Sequence, residues 1–164
     1  MNKKILTALL ALTFMSAALA GCTSNDDTDD AEPQPDVVKI GFLNPATGPL
    51  AQDAAGFEYG ALQAVIDLNA AQTTTVFEAV VADSGCDGTV GAAAAQSLVD
   101  ANVVAVAGAA CSGASMAANA VLSAAGIPMI SYASTNPSLS DATAYPNFFR
   151  VVPSDAIQGP AAAA

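Results

Sequence analysis

Residues 103–137 constrain the fold most, because two apolar runs there are separated by an alanine-rich stretch and each ends in a small polar turn. Val103 to Val106 is a short β-branched run that stops at Gly108, the pattern of a buried parallel strand. Ser112-Gly113 follows at once, and Ala114 to Ala125 contains neither proline nor glycine, so a helix is expected there with Ser112 as its N-cap. Unpaired N–H groups and the partial positive charge of a helix N-terminus suit a small anion such as a carboxylate. Ile127 to Ser131 reads as the next strand. It runs through Tyr132 into Ala133-Ser134-Thr135, which offers a carbonyl and two hydroxyls at the same sheet edge. In open α/β sheets that edge is where ligands sit, so the two turns are read as half of a site for a small amino-acid-like ligand.

The remaining chain repeats this alternation. Strands are expected at 38–43, 76–82 and 148–152, and helices at 54–68 and 89–101. The first helix carries Phe57, Ala61, Ala64, Val65 and Leu68 on one stripe. Strands alternating with helices imply βαβ units: an α/β fold with an open parallel sheet and helices on both faces. Ser154-Asp155 is the expected cap of a last helix. The ending Gln158-Gly159-Pro160 followed by four alanines resembles a helix cut short, so the chain is read as the N-terminal portion of a longer protein.

The first 36 residues are of a different character. Lys3 and Lys4 precede an apolar core from Ile5 to Leu19, and Leu19-Ala20-Gly21-Cys22 matches a bacterial lipobox. Residues 1–21 are therefore expected to be a lipoprotein signal peptide and Cys22 the lipidation site. Residues 22–36 form an acidic tether with too little apolar content to fold. The first α/β lobe is expected over 37–152, with 153–164 as a crossover.

The formal net charge is −11, and beyond the leader only Lys39 and Arg150 oppose fifteen acids. That balance argues against nucleic acid as a partner. Of three cysteines, Cys86 and Cys111 remain once Cys22 is set aside. An oxidising compartment permits one bridge between them, and free thiols or a metal pair are the alternatives. With no histidine in the chain, zinc is disfavoured.

Competing chemistries fail on particular residues. Ser112, in Ala110-Cys111-Ser112-Gly113-Ala114, lacks both glycines of a nucleophile elbow, and no histidine is present to act as base. No glycine-rich phosphate loop follows the first strand. Asp83 to Gly88 starts like a calcium-binding loop, but Gly85 and Ala94 stand where ligands belong. No cofactor or metal is implied.

Several segments, in consistent order over residues 37–160, resemble the leucine/isoleucine/valine-binding type of periplasmic solute receptor. They are VKIGFLNPATGPLAQ, the Cys-bearing Asp83–Asp87 and ACSGAS loops, Ile127–Pro137, and Phe149-Arg150 through Gln158-Gly159-Pro160. The resemblance implies two hinged α/β lobes that close on a ligand and deliver it to the membrane subunits of an ABC permease, with the chain ending early in the second lobe. It implies that Ser112 and Thr135 hold the ligand carboxylate through hydroxyls and N–H groups. The Ala133 carbonyl and Thr135 hydroxyl would take the ammonium, and Cys86 and Cys111 would form a disulfide. Tyr132 is a cleft-lining candidate. Two positions depart from the family pattern: Asp53 stands where an aromatic is usual, and Ala110, before Cys111, where a larger apolar residue is common. Both join the ligand-site candidates, although Asp53 also fits a helix N-cap.

The expectation is thus a non-catalytic, extracytoplasmic, lipid-anchored binding protein for a branched-chain or other small amino acid or amide-like solute. A ligand-sensing receptor ectodomain is the alternative, and an exported hydrolase a more distant one.

Overall fold

A computed structural model describes residues 35–72 and 74–164. The expected signal peptide, the expected lipidation site at Cys22 and nearly all of the expected acidic tether lie outside the described residues.

Five parallel strands form one sheet in the order β2-β1-β3-β4-β5. The strands are β1 (Asp36–Asn44), β2 (Thr75–Asp83), β3 (Ala105–Ala107), β4 (Met129–Ser131) and β5 (Phe148–Arg150). The helices are α1 (Ala54–Ala71), α2 (Gly88–Asp100), α3 (Ser112–Ala124) and a short α4 (Gln158–Ala162). This is the expected α/β architecture, and the chain covers one lobe of it.

Three strands are shorter than their apolar runs, for local reasons. Val103 donates its N–H to the Leu98 carbonyl at 3.3 Å and so closes α2 instead of joining the sheet. Ile127 does the same for α3 through Leu122, at 2.9 Å, and Pro128 has no N–H to give. At β5, Val151 still reaches the Ser131 carbonyl at 3.1 Å, but Pro153 stops the ladder beyond it. In the other direction α1 runs past Leu68 because Asn69 stitches it to β2. The Asn69 amide donates to the Phe77 carbonyl and accepts the Phe77 N–H, both at 2.8 Å.

The core lies between one sheet face and the pair α2/α3. Leu43, Val106 and Met129 meet Ala95, Leu98, Ala114, Ala118 and Leu122, all essentially inaccessible to solvent. The alanines permit close approach: a Cβ at Gly91 would stand 3.0 Å from the Ala114 carbonyl oxygen. On the opposite face, the α1 stripe lies over Ile40, Phe42 and Ala79 across an apolar cleft. Ile130 and Phe149 on that face are exposed.

The strand order reverses direction between β1 and β3, which makes their C-terminal ends the switch point of the sheet. Gly108 follows there with φ +114°, and a Cβ on it would meet the Leu43 carbonyl oxygen at 2.6 Å. Only glycine lets the chain turn this tightly against β1.

Candidate functional site

The turn after β3 and the turn after β4 are joined by buried hydroxyls. Ser131 donates to the Ala109 carbonyl at 2.6 Å and accepts the Ser134 N–H at 2.9 Å. The Ser134 hydroxyl lies within hydrogen-bonding distance of the Ala109 and Ala110 carbonyls, at 3.1 and 3.2 Å. It also meets the Ser115 hydroxyl, from the first turn of α3, at 2.8 Å. All three serines are fully buried. Buried polar groups this well paired hold their segments in one arrangement, so the two turns are fixed to each other.

Ser112 departs from its expected role. The N-cap position belongs to Cys111, in extended geometry, and Ser112 is the first helical residue. Its oxygen does not cap its own helix; it accepts the Asn136 N–H at 3.2 Å. The helix start is thereby tied to the residue beside Thr135. Thr135 in turn donates its hydroxyl proton to the Asp155 carboxylate at 2.7 Å, and Asp155 returns its N–H to the Thr135 carbonyl at 2.9 Å. Arg150 supports the same turn from β5, donating to the Asn136 carbonyl at 3.0 Å and the Ser134 carbonyl at 3.4 Å. Asn136 then caps the 3-10 turn Pro137–Ser140 by accepting the Ser138 N–H at 2.9 Å.

A disulfide joins Cys86, in the loop after β2, to Cys111 at the head of α3, with Cα atoms 5.1 Å apart. That loop is itself organised by two aspartates. Asp87 caps α2 by accepting the N–H groups of Thr89 at 2.7 Å and Val90 at 3.0 Å. Burial pushes the Asp83 carboxyl up, but hydrogen bonds from the Thr47 hydroxyl and from the N–H groups of Gly85, Thr47 and Ala46 outweigh it, leaving it below the usual carboxylate value. Asp83 thus binds the loop after β1 to the loop after β2, and among the described residues no acidic and cysteine cluster has metal-site geometry.

The expected site residues separate into two groups. Ser112, Cys111, Ala110, Ala133 and Thr135 lie on the two joined turns. Ala110 is buried and contributes backbone, while the Ala133 residue is exposed. Asp53 is exposed at the head of α1, in the N-cap position but with no side-chain cap bond. Tyr132 packs on the α1 side of the sheet, with ring centroids 5.7 Å from Phe42 and 5.2 Å from Phe57. Its hydroxyl donates to the Leu43 carbonyl at 3.4 Å, and burial pushes its pKa up to about 12.

Sequence reasoning missed Ser115, Ser131, Arg150 and Asp155, and it offered the Ser134 hydroxyl to a ligand where the structure buries it among protein partners. The serines carried a signal: Ser112 and Ser115, like Ser131 and Ser134, stand three residues apart in two segments that otherwise read as core.

An open parallel sheet with hydrogen-bonding turns gathered beyond its strand ends defines one lobe of a periplasmic-binding fold. The chain belongs to the family described as the receptor family ligand binding region, which matches residues 59–164. It is 31% identical over 158 residues to a leucine-, isoleucine-, valine-, threonine- and alanine-binding protein of Pseudomonas aeruginosa, covering 95% of this chain and 40% of that one. The Leu/Ile/Val-binding protein of Escherichia coli K12 is likewise 31% identical over 164 residues, covering 99% and 40%. Rat metabotropic glutamate receptor 6 is 54% identical over 59 residues, 36% of this chain and 7% of the receptor. Among solved structures, the branched-chain amino acid transporter substrate-binding protein LivJ of Streptococcus pneumoniae, in complex with isoleucine, aligns with a TM-score of 0.66 at 34% identity. That alignment covers 73% of this chain and 34% of LivJ. The chain thus spans 40% of the length of the curated bacterial relatives it matches.

Proposed function

We propose that this chain is the first lobe and crossover of an extracytoplasmic solute-binding lipoprotein of an ABC importer, which takes a branched-chain or other small amino acid between two hinged lobes without catalysis. The observation that carries the reading is the tie between the Ser112 hydroxyl and the Asn136 N–H, because it brings the helix start beside the Thr135 turn. In this reading the ligand carboxylate meets the Ser112 hydroxyl and the first N–H groups of α3. The ammonium meets the Thr135 oxygen and the Ala133 carbonyl, and the second lobe completes the site. Relatives named for binding branched-chain amino acids, and the isoleucine complex of LivJ, support this ligand class.

The lobe would be exported by residues 1–21, anchored through Cys22 and held off the membrane by residues 22–36, on the strength of the lipobox and the acidic run that follows it. No helix of the described residues is long and apolar enough to cross a membrane. Calorimetric titration of the full-length protein with L-leucine, L-isoleucine, L-valine and L-glutamate tests the proposal. Saturable binding of at least one supports it, and no binding of any amino acid refutes it.

A second reading, a ligand-sensing ectodomain, is favoured by the 59-residue match to metabotropic glutamate receptor 6. Radiolabelled lipid incorporated at Cys22, together with co-purification of permease subunits, separates the importer from the sensor.

A further inference from the structure

We infer that Arg150 is a positioning residue: by holding the carbonyls on both sides of Thr135 it turns the Thr135 N–H away from itself and leaves that donor for the anionic end of the ligand. This rests on the amino-acid reading proposed above and deepens it.

The N–H groups of the turn after β4 can be followed one by one. Ala133 and Ser134 both donate to the Ser131 hydroxyl, at 3.3 and 2.9 Å, and Asn136 donates to the Ser112 hydroxyl at 3.2 Å. Thr135 stands between them, half-buried, and among the described residues its N–H meets no acceptor. One backbone donor of the turn is thus available to a ligand.

The carbonyl of the same peptide directs that donor. A peptide unit is planar and trans, so its C=O and N–H point in opposite directions. Arg150 donates to the Ser134 carbonyl at 3.4 Å, which turns the Thr135 N–H away from the guanidinium. The same nitrogen donates to the Asn136 carbonyl at 3.0 Å, so the turn is gripped on both sides of Thr135. Its other terminal nitrogen is steadied by the Ser140 hydroxyl. A planar guanidinium with five donors can hold these acceptors together, whereas an ammonium has no such fork. None of the three partners is an acid, so the positive charge stands at the carbonyl end of the Ser134–Thr135 peptide and strengthens its N–H toward an anion. Arg150 is also paired with Ser131 across the β4–β5 ladder. One rung of the sheet therefore fixes the whole turn, Ser131 taking its N–H groups and Arg150 its carbonyls.

The test follows the amide signals of Thr135 and of Gly113, in the first turn of α3, by NMR while L-leucine is titrated into full-length wild type and Arg150→Met. In wild type both amide protons should move downfield as each meets the carboxylate. In Arg150→Met at saturating L-leucine the Thr135 displacement should be mostly lost and the Gly113 displacement kept. Affinity should fall by roughly tenfold or more, because one hydrogen bond to a charged group is misdirected. Arg150→Lys keeps the charge without the fork, should show the same selective loss at Thr135, and replaces the methionine variant should that fail to fold. Equal loss at both amides would mean a general structural role and overturns the inference. So does a Thr135 displacement undiminished in either variant. Wild type that binds L-leucine without moving the Thr135 amide overturns the inference alone. Wild type that binds no amino acid removes the proposed function and the inference together.

Discussion

The hydroxyls of Ser115 and Ser134 lie 2.8 Å apart in the interior, linking the first turn of α3 to the turn after β4. Neither side chain has access to solvent. Each can satisfy itself only through the other and through the carbonyls of the turn after β3, so the geometry of the outer residues depends on these inner ones.

Replacing Ser134 by alanine should therefore destabilise the fold by about 1–3 kcal/mol, the cost of leaving buried partners unmet. The Ser115→Ala/Ser134→Ala double variant should lose less than the sum of the single variants, because the two hydroxyls share partners. Urea unfolding of the three variants of the full-length protein measures both quantities.

The Cys86–Cys111 bridge closes a loop with a sequence separation of 25. Chain entropy puts its contribution at about 3.5 kcal/mol. Cys86→Ser/Cys111→Ser should lower the urea midpoint accordingly, and should also weaken amino-acid binding, because Cys111 heads the helix that carries Ser112. An unchanged midpoint under oxidising conditions would show the bridge to be dispensable.

Tyr132 supplies a pH signature. Its pKa is raised from 10.0 to about 12 by burial, so the folded form keeps a proton that the unfolded chain gives up. The resulting stabilisation is fully present below pH 10 and is lost between there and about pH 12. Tyr132→Phe should show a flatter fall in the urea midpoint across that interval than wild type does.

Ser112→Ala should weaken L-leucine binding by roughly tenfold or more, as expected when a hydrogen bond to a charged group is lost. It should leave the far-ultraviolet circular dichroism unchanged, because the serine caps nothing in its own helix. Calorimetry on the full-length protein gives the affinity, and undiminished binding would remove Ser112 from the site.

The order of strands and helices was legible because β-branched runs and alanine-rich runs alternate so cleanly here. The strand limits were not, since Val103 and Ile127 continue an apolar pattern while spending their N–H groups on the preceding helices. Ser112 illustrates a second limit. Its composition and position say cap, yet its partner, Asn136, is 24 residues away, and nothing local announces a bond of that span. The Thr135–Asp155 pair was hidden in the same way, across 20 residues. Tyr132 was readable as an aromatic at a strand end, but only the packing of Phe42 and Phe57 shows which side of the sheet it occupies.

The strands are unequal partners. β1 and β2 are matched along nine consecutive positions, whereas β3 and β4 share two and β4 and β5 share three. Deuterium should accordingly enter the amides of β4 and β5 well before those of β1 and β2. On that expectation the molecule has a slow-exchanging rail on one side and a lightly laced rim on the other, and the rim bears the turns proposed to meet the ligand. Compliance is thus available where an incoming solute would press, at little cost to the scaffold that holds the rest in place.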